Sequence, residues 1–396
     1  MIDGFQMLNI AAAAAAISFV VSILIVWSQA WHGKHTCDHD LHGAQKFHMM
    51  AVPRIGGVAV FAGVVLAIVA CLSFLPGLFP KTFLMPTLKL LLASSPAFVS
   101  GIVEDLTKRV SVKARLGATF ISALMASWLL GATIGSLDLW GVDSLLTFMP
   151  IAVAVTAVAV AGGANAINII DGFNGLSSSV VVIMLAALGL IAWHAGDVLM
   201  TSLALLGGGA ALGFLIVNFP TGRLFLGDGG AYFLGFWVAE IAVLLLVRNP
   251  SINSWQISSV CAYPVIEVLY SIYRRRVMKV SPGAPDALHL HTLIYRCIAP
   301  RLVHADARAP WKLNAAVACV VAPCIAVLAW LTIVFGRTIP GALLIVFLQI
   351  WLYLTAYRWL IRSDRSDRRA VERKMKPGAN DDGQAGAGAR VNAKSL

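Results

Sequence analysis

The chain is poor in charge. Only 12% of its 396 residues are Asp, Glu, Lys or Arg, against 59% hydrophobic residues. A soluble domain carries about 25% charged residues, so an ordinary soluble fold is excluded. Cysteine is scarce as well. Cys37, Cys71, Cys261, Cys297, Cys319 and Cys324 form no CxxC pair, and most lie in or beside apolar runs. They are therefore read as reduced packing residues and not as a disulfide or metal framework. No basic stretch precedes the apolar segment from Asn9 to Trp27, which is also too long for a signal-peptide core. It is expected to be a retained first helix.

Long apolar runs are what the chain does have. They fall at 5–30, 55–75, 87–103, 116–134, 147–167, 176–194, 199–217, 229–247, 257–272, 313–334 and 341–361, each near the length that spans a bilayer. The expected fold is all-α, a polytopic membrane protein of about eleven spanning helices. Residues 1–361 form one transmembrane domain, and 362–396 a basic tail too polar to fold alone, whose start can touch anionic lipid. The net charge of +11 suggests nucleic acid, but its placement does not. Of the 30 Lys and Arg, all but Lys81, Lys89, Arg248 and Arg337 fall in one alternate set of loops or in the tail. That bias sets topology, placing the N-terminus outside and the C-terminus in the cytoplasm.

The polar chemistry gathers in the same loops. Glu104 and Asp105 end the third run and are followed by Lys108, Arg109, Lys113 and Arg115. This is either a polar helix end or a carboxylate pair handling a proton or cation beside phosphate-binding cations. In NAINIIDGFNGL, Asn165, Asn168 and Asp171 recur every three residues, and Gly172 and Gly175 loosen the backbone. In FLGDGGAYFLGF, Asp228 sits between glycines at the entrance of a span. A carboxylate with asparagine oxygens suits Mg²⁺, which keeps waters and takes substrate phosphates. Phe225 offers a flat face to a base, although packing is the commoner use of such a ring. His289 and His291 form an HxH pair without further zinc ligands, so phosphate contact is favoured. The loop holding His32, His35, Cys37, His39, His42 and His48 lacks metal spacing, and its stretch from His32 to His42 is read as a solvated interface run.

Taken in order, KFHMMAVPRIGG, EDLTKR, NAINIIDGFNGL, FLGDGGAYFLGF and HLHT resemble the polyprenyl-phosphate N-acetylhexosamine-1-phosphate transferases, over about Lys46 to Arg296. The resemblance implies an enzyme that joins undecaprenyl phosphate to the sugar-1-phosphate of a UDP-amino sugar, releasing UMP and initiating a cell-envelope glycan. It implies Mg²⁺, for which Mn²⁺ could substitute, with Asp228 as principal ligand and Asn168 as second. Glu104, Asp105, Asp171 and Asp228 become the catalytic acids. Phe225 would stack on uracil and Asn174 contact the base edge, with Asn165 in the same substrate-binding motif. Lys46 and Lys113 would neutralise phosphate, and His289 and His291 lie near the diphosphate. Partners are then the UDP-sugar, undecaprenyl phosphate and membrane lipid, with no nucleic acid and room for a homodimer. The location implied is a bacterial inner membrane, with the site on its cytoplasmic face.

Three positions depart from that pattern. Glu104 replaces the usual first Asp, Asn174 stands where many members have Asp, and Thr292 replaces a further His. The departures bear on substrate choice and keep open an inactive homologue in a glycan-assembly complex. A secondary transporter is the other class, but its polar groups would belong near the bilayer midplane.

Overall fold

The computed structural model describes residues 4–38, 51–74, 80–279, 286, 288–304, 306 and 309–375. It is a helical bundle with one short antiparallel ribbon. The chain begins with α1 (Gly4–Trp27) and α2 (Gln29–Thr36), then pairs β1 (Cys37–Asp38) with β2 (Val52–Pro53). Next come α3 (Gly56–Phe74), α4 (Lys81–Thr107), α5 (Val112–Leu130), α6 (Asp143–Leu146) and α7 (Met149–Ile170). The centre is α8 (Leu176–His194), α9 (Val198–Asn218) and α10 (Gly227–Arg248). It ends with α11 (Ser254–Val260), α12 (Ala262–Val277), α13 (Leu290–Cys297), α14 (Ala299–Leu302), α15 (Trp311–Phe335) and α16 (Ile339–Met375).

Among the described residues nine helices, α1, α3, α4, α7, α8, α9, α10, α15 and α16, are long and apolar enough to cross a bilayer. Two of the eleven expected spans do not reach that standard. α5 carries Lys113 and Arg115 near its start, which lowers its hydropathy. The expected span 257–272 is broken at Cys261 into α11 and α12. α12 turns Glu267, Ser271 and Arg274 inward and leaves Val265, Leu269, Ile272 and Tyr273 exposed. That inversion suits a helix whose outer face meets lipid and whose inner face serves a polar site. The last helix continues to Met375, into the expected tail, and residues 376–396 lie outside the described part.

The core is organised around α10, which packs against α4, α7 and α3 and keeps Phe233, Phe236 and Trp237 fully buried. Small residues permit the close approaches. Gly209 and Gly213 lie on the backbone of α1 at Ala11 and Ala15, where a side chain would collide with a carbonyl oxygen. Such spacing of small residues is how membrane helices pack closely. Leu24, Leu66, Leu92, Trp128, Phe347 and Trp351 stay exposed, as lipid-facing side chains should.

One end of the bundle is tied by polar clamps. Asp197 caps α9 and takes two hydrogen bonds from Arg248, at 2.7 and 3.1 Å. Asn253 donates to the carbonyls of Gly336 and Arg337, at 3.0 and 3.1 Å. The opposite end collects the motifs that carry chemistry.

Candidate active site

The site begins with a backbone seam. Phe225 N–H donates to the Pro53 carbonyl at 2.9 Å. Gly56 N–H returns to the Phe225 carbonyl at 2.9 Å, and Gly57 N–H reaches the Leu226 carbonyl at 2.8 Å. The seam fixes the segment carrying Arg54 against the start of α10. Gly227 turns there with φ +74°, and a Cβ would strike the Arg54 carbonyl and the Asp105 carboxylate. Only glycine fits.

Asp105, at the end of α4, is buried and faces the α10 N-terminus. Its Oδ1 accepts the Asp228 N–H and its Oδ2 the Gly229 N–H, both at 2.9 Å. A carboxylate from one helix therefore caps another, satisfying two otherwise orphaned donors and meeting the positive end of the helix dipole.

Asp228 uses its side chain differently. Oδ2 pairs with Arg115 from α5. Oδ1 accepts from Asn168 Nδ2 of α7 at 3.1 Å, and Arg54 Nη2 lies 3.5 Å away. The same Arg54 nitrogen is 3.7 Å from Asp105. Side chains from three places, the segment before α3, α5 and α7, thus converge on the Asp228 carboxylate, and two guanidiniums balance the two acids.

Asp171 follows the end of α7. Ser177 donates a short hydrogen bond to its Oδ1. Burial raises its carboxyl to about 6, tempered by the Ser177 hydroxyl and the nearby Arg54 charge. The adjoining turn is held from three sides. Asn174 N–H donates to Asn314 Oδ1 of α15 at 2.6 Å, and its side chain donates to the Pro220 carbonyl at 3.0 Å. Gly175 N–H donates to Asn218 Oδ1 at 2.5 Å.

A second cluster adjoins through Phe173, whose ring meets His291 edge-on with centroids 5.6 Å apart. His291 stacks on His289 at 5.1 Å and 12°. His289 Nδ1 lies 2.8 Å from Glu267 Oε1, which also accepts the Leu290 N–H at 3.1 Å. Asp286 Oδ2 is 3.7 Å from the other ring nitrogen of His289 and pairs with Arg274. Burial lowers His291 to about 4, so that ring is neutral at pH 7.

The structure gathers Asp105, Asp228 and Asn168 around Arg54, which also influences Asp171. His289 and His291 form the adjoining wall. Other expected residues stand apart. Asn165 donates to Thr119 Oγ1 at 3.2 Å and to the Ala161 carbonyl, so it ties α7 to α5. Glu104 accepts the Val110 N–H at 2.8 Å and braces the turn between α4 and α5. Lys113 is exposed and makes no ion pair among the described residues. Phe225 is half-buried on the seam, and Lys46 lies outside the described residues. Of the histidine tract, His32 is spent on Thr36 and the Ile25 carbonyl, while His39, His42 and His48 lie outside the described residues.

Sequence reasoning passed over four participants. Arg54 was visible as a topology-setting charge, Arg115 only as one member of a basic cluster read as phosphate-binding cations, and Glu267 lay inside an expected span. Ser177, which binds Asp171, reads as an ordinary helix start. The signal available for Glu267 was its charge in an apolar run, which demands a partner.

Among the described residues no three His, Cys, Asp or Glu side chains close a metal cage. Mg²⁺ does not require one, since it binds through one or two carboxylates plus substrate phosphates. Asp228 fits that use. Its partners are side chains that can swing away, whereas both Asp105 oxygens are fixed on backbone donors. Rotating the Asn168 amide presents Oδ1 in place of Nδ2 toward the same point.

The fold is that of a helical protein with several candidate membrane spans, and comparison with known proteins supports a phospho-sugar transferase. The pattern of the family Glycosyl transferase family 4 matches residues 87–246. The Bacillus subtilis (strain 168) protein named Probable undecaprenyl-phosphate N-acetylglucosaminyl 1-phosphate transferase is 30% identical over 256 residues, 64% of this chain and 68% of that one. The Salmonella typhi undecaprenyl-phosphate alpha-N-acetylglucosaminyl 1-phosphate transferase is 29% identical over 266 residues, 65% and 69% of the two chains. A decaprenyl-phosphate N-acetylglucosaminephosphotransferase of Mycobacterium tuberculosis (strain CDC 1551 / Oshkosh) is 27% identical over 269 residues, 62% and 65%. The chain belongs to glycosyl transferase family 4, within the polyprenyl-phosphate N-acetylhexosamine-1-phosphate transferases.

Proposed function

We propose that the protein transfers N-acetylhexosamine-1-phosphate from a UDP-amino sugar to undecaprenyl phosphate, at the cytoplasmic face of a bacterial inner membrane. An oxygen of the lipid phosphate attacks the sugar-linked phosphorus, the bond from that phosphorus to UMP breaks, and UMP departs. The product is a polyprenyl-diphospho-sugar, the first lipid-linked unit of an envelope glycan. The observation that carries this reading is Asp228 at the buried start of α10, met by Asn168 and two arginines. Such a place can gather several negative charges in a partly dry site, where fixed cations and dipoles stabilise developing charge.

Asp228 and Asn168 would hold Mg²⁺, which would offset the charge of the two phosphates. Asp105 fixes the position of Asp228 through the helix start, and Asp171 faces the same cluster as a carboxyl poised near neutral pH. Phe225 is assigned to the uracil and Asn174 to its edge. His289 and His291 line the diphosphate side, oriented by Glu267. Lys113, exposed near the start of α5, is assigned to phosphate neutralisation, as is Lys46, which lies outside the described residues. Glu104 orders the turn that leads to Arg115. Grouping at one end of the bundle supports a transferase over a secondary transporter, whose polar groups would lie near the midplane.

The test is purified protein with undecaprenyl phosphate and a panel of UDP-sugars, reading UMP release with and without Mg²⁺. UDP-GlcNAc is expected to be the best donor. Silence with every donor would leave the reading of an inactive homologue.

A further inference from the structure

Two arginines touch Asp228, but they are held differently. Arg54 is strapped in place: its N–H donates to the Thr36 carbonyl at 2.8 Å, its carbonyl abuts Gly227, and its guanidinium bridges Asp105 and Asp228 at 3.7 and 3.5 Å. Arg115 reaches in from the first turns of α5, and a single terminal nitrogen meets Asp228 Oδ2. Its Nε is buried without a hydrogen-bond partner. A planar fork with five donors is thus spending few of them.

We propose that Arg115 and a divalent cation compete for Asp228 Oδ2, and that the displaced guanidinium moves to a phosphate oxygen of the substrate. The proposal rests on the assignment of the metal to Asp228. A guanidinium and a divalent cation on the same carboxylate oxygen repel each other, so one must give way. Arg54 cannot be the one to leave, because Asp105 would lose its one ion-pair partner within 4 Å among the described residues while remaining buried. Arg115 can leave without stranding a charge, since the incoming cation replaces it on Asp228. Its side chain is 15% exposed, at the boundary between the packed cluster and open space. A phosphate there would offer oxygens to the fork, which a planar guanidinium matches better than an ammonium does. The arrangement couples the two events: metal entry releases a phosphate-binding arm, and phosphate binding clears the metal site.

Such coupling is reciprocal and positive, each ligand tightening the other, so removing Arg115 should strengthen metal binding while weakening phosphate binding. The experiment titrates the full chain in detergent with Mn²⁺, read by electron paramagnetic resonance, in wild type, Arg115→Gln, Arg115→Lys and Asp228→Asn. Calorimetry then measures UDP-GlcNAc and undecaprenyl phosphate binding in the presence of Mn²⁺. Arg115→Gln should bind Mn²⁺ more tightly, within the roughly 5–150-fold range of typical couplings, while weakening one phosphate ligand. Loss toward UDP-GlcNAc places the arm on the donor diphosphate, and loss toward undecaprenyl phosphate places it on the acceptor. Arg115→Lys keeps the charge without the fork and disturbs the fold least. It should keep Mn²⁺ affinity near wild type and still weaken the phosphate. Unchanged or weaker Mn²⁺ affinity in Arg115→Gln overturns the competition, as does equal tightening by Gln and Lys. Equal Mn²⁺ affinity in wild type and Asp228→Asn would remove the metal assignment itself, and the competition with it.

Discussion

Asp105 Oδ1 accepts the backbone N–H of Asp228 at 2.9 Å, so one buried acid sets the position of the other. The two carboxylates should therefore fail in different ways. In Asp105→Asn an amide NH₂ replaces one acceptor oxygen and faces a backbone donor. A buried group left unsatisfied costs about 1–3 kcal/mol. The melting temperature and UMP release are both expected to fall. A variant that melts like wild type but is inactive would instead put Asp105 in contact with substrate.

Asp171 carries a pH signature. Its carboxyl is raised to about 6 in the folded protein from an ordinary value of 3.8. Between those values the folded state binds more protons than the unfolded state. The stabilising contribution is complete below 3.8 and is lost as pH rises through about 6. Asp171→Asn keeps an acceptor for Ser177 and removes the ionisation. It should melt higher than wild type above pH 6 while losing turnover. A lower melting temperature at pH 8 would contradict this.

Glu104 braces the turn before α5 by accepting the Val110 N–H. Glu104→Gln retains an acceptor there and Glu104→Ala does not. The alanine variant should lose about 0.5–1.5 kcal/mol of stability together with much of its activity. If the carboxylate acts as a base, Glu104→Gln falls by roughly 10²–10⁴-fold, and the loss shrinks as pH rises. If it only braces the turn, Gln stays near wild type at every pH. The bracing outcome is expected, because the observed partner is a backbone N–H.

Glu267 orients His289 and holds the start of α13. Glu267→Ala removes both contacts. It is expected to raise KM for the UDP-sugar more than it lowers kcat, and to leave Mn²⁺ binding at Asp228 unchanged. An equal loss in Mn²⁺ affinity would show that the two clusters are not separable.

Much of this was legible in sequence, and the rest had physical reasons to be hidden. Asp228 and Asn168 were each marked by oxygen chemistry at a span end, and the fold brings them to 3.1 Å. The triplet spacing of Asn165, Asn168 and Asp171 suggested a common strip. Residues three apart are displaced by roughly 60° around an α-helix, enough for Asn165 to face Thr119 while Asn168 faces Asp228. Asp171 already lies past the helix, with ψ 50°. The break at Cys261 has no strong local mark, since Pro264 falls in the first turn of α12, where proline is tolerated. Arg54 looked like a topology signal because a loop arginine serves topology whether or not it also meets a buried acid, and nothing in the sequence set Arg115 apart from its basic neighbours as the one that meets Asp228.

The central claim is that phospho-sugar transfer is organised by Asp228 at the start of α10. Its most direct test is UMP release from UDP-GlcNAc by wild type and Asp228→Asn, in matched detergent, with undecaprenyl phosphate and saturating Mg²⁺. The account predicts lipid-dependent and metal-dependent release by wild type, and near-complete loss in the variant while it remains folded. Full turnover by Asp228→Asn would contradict it.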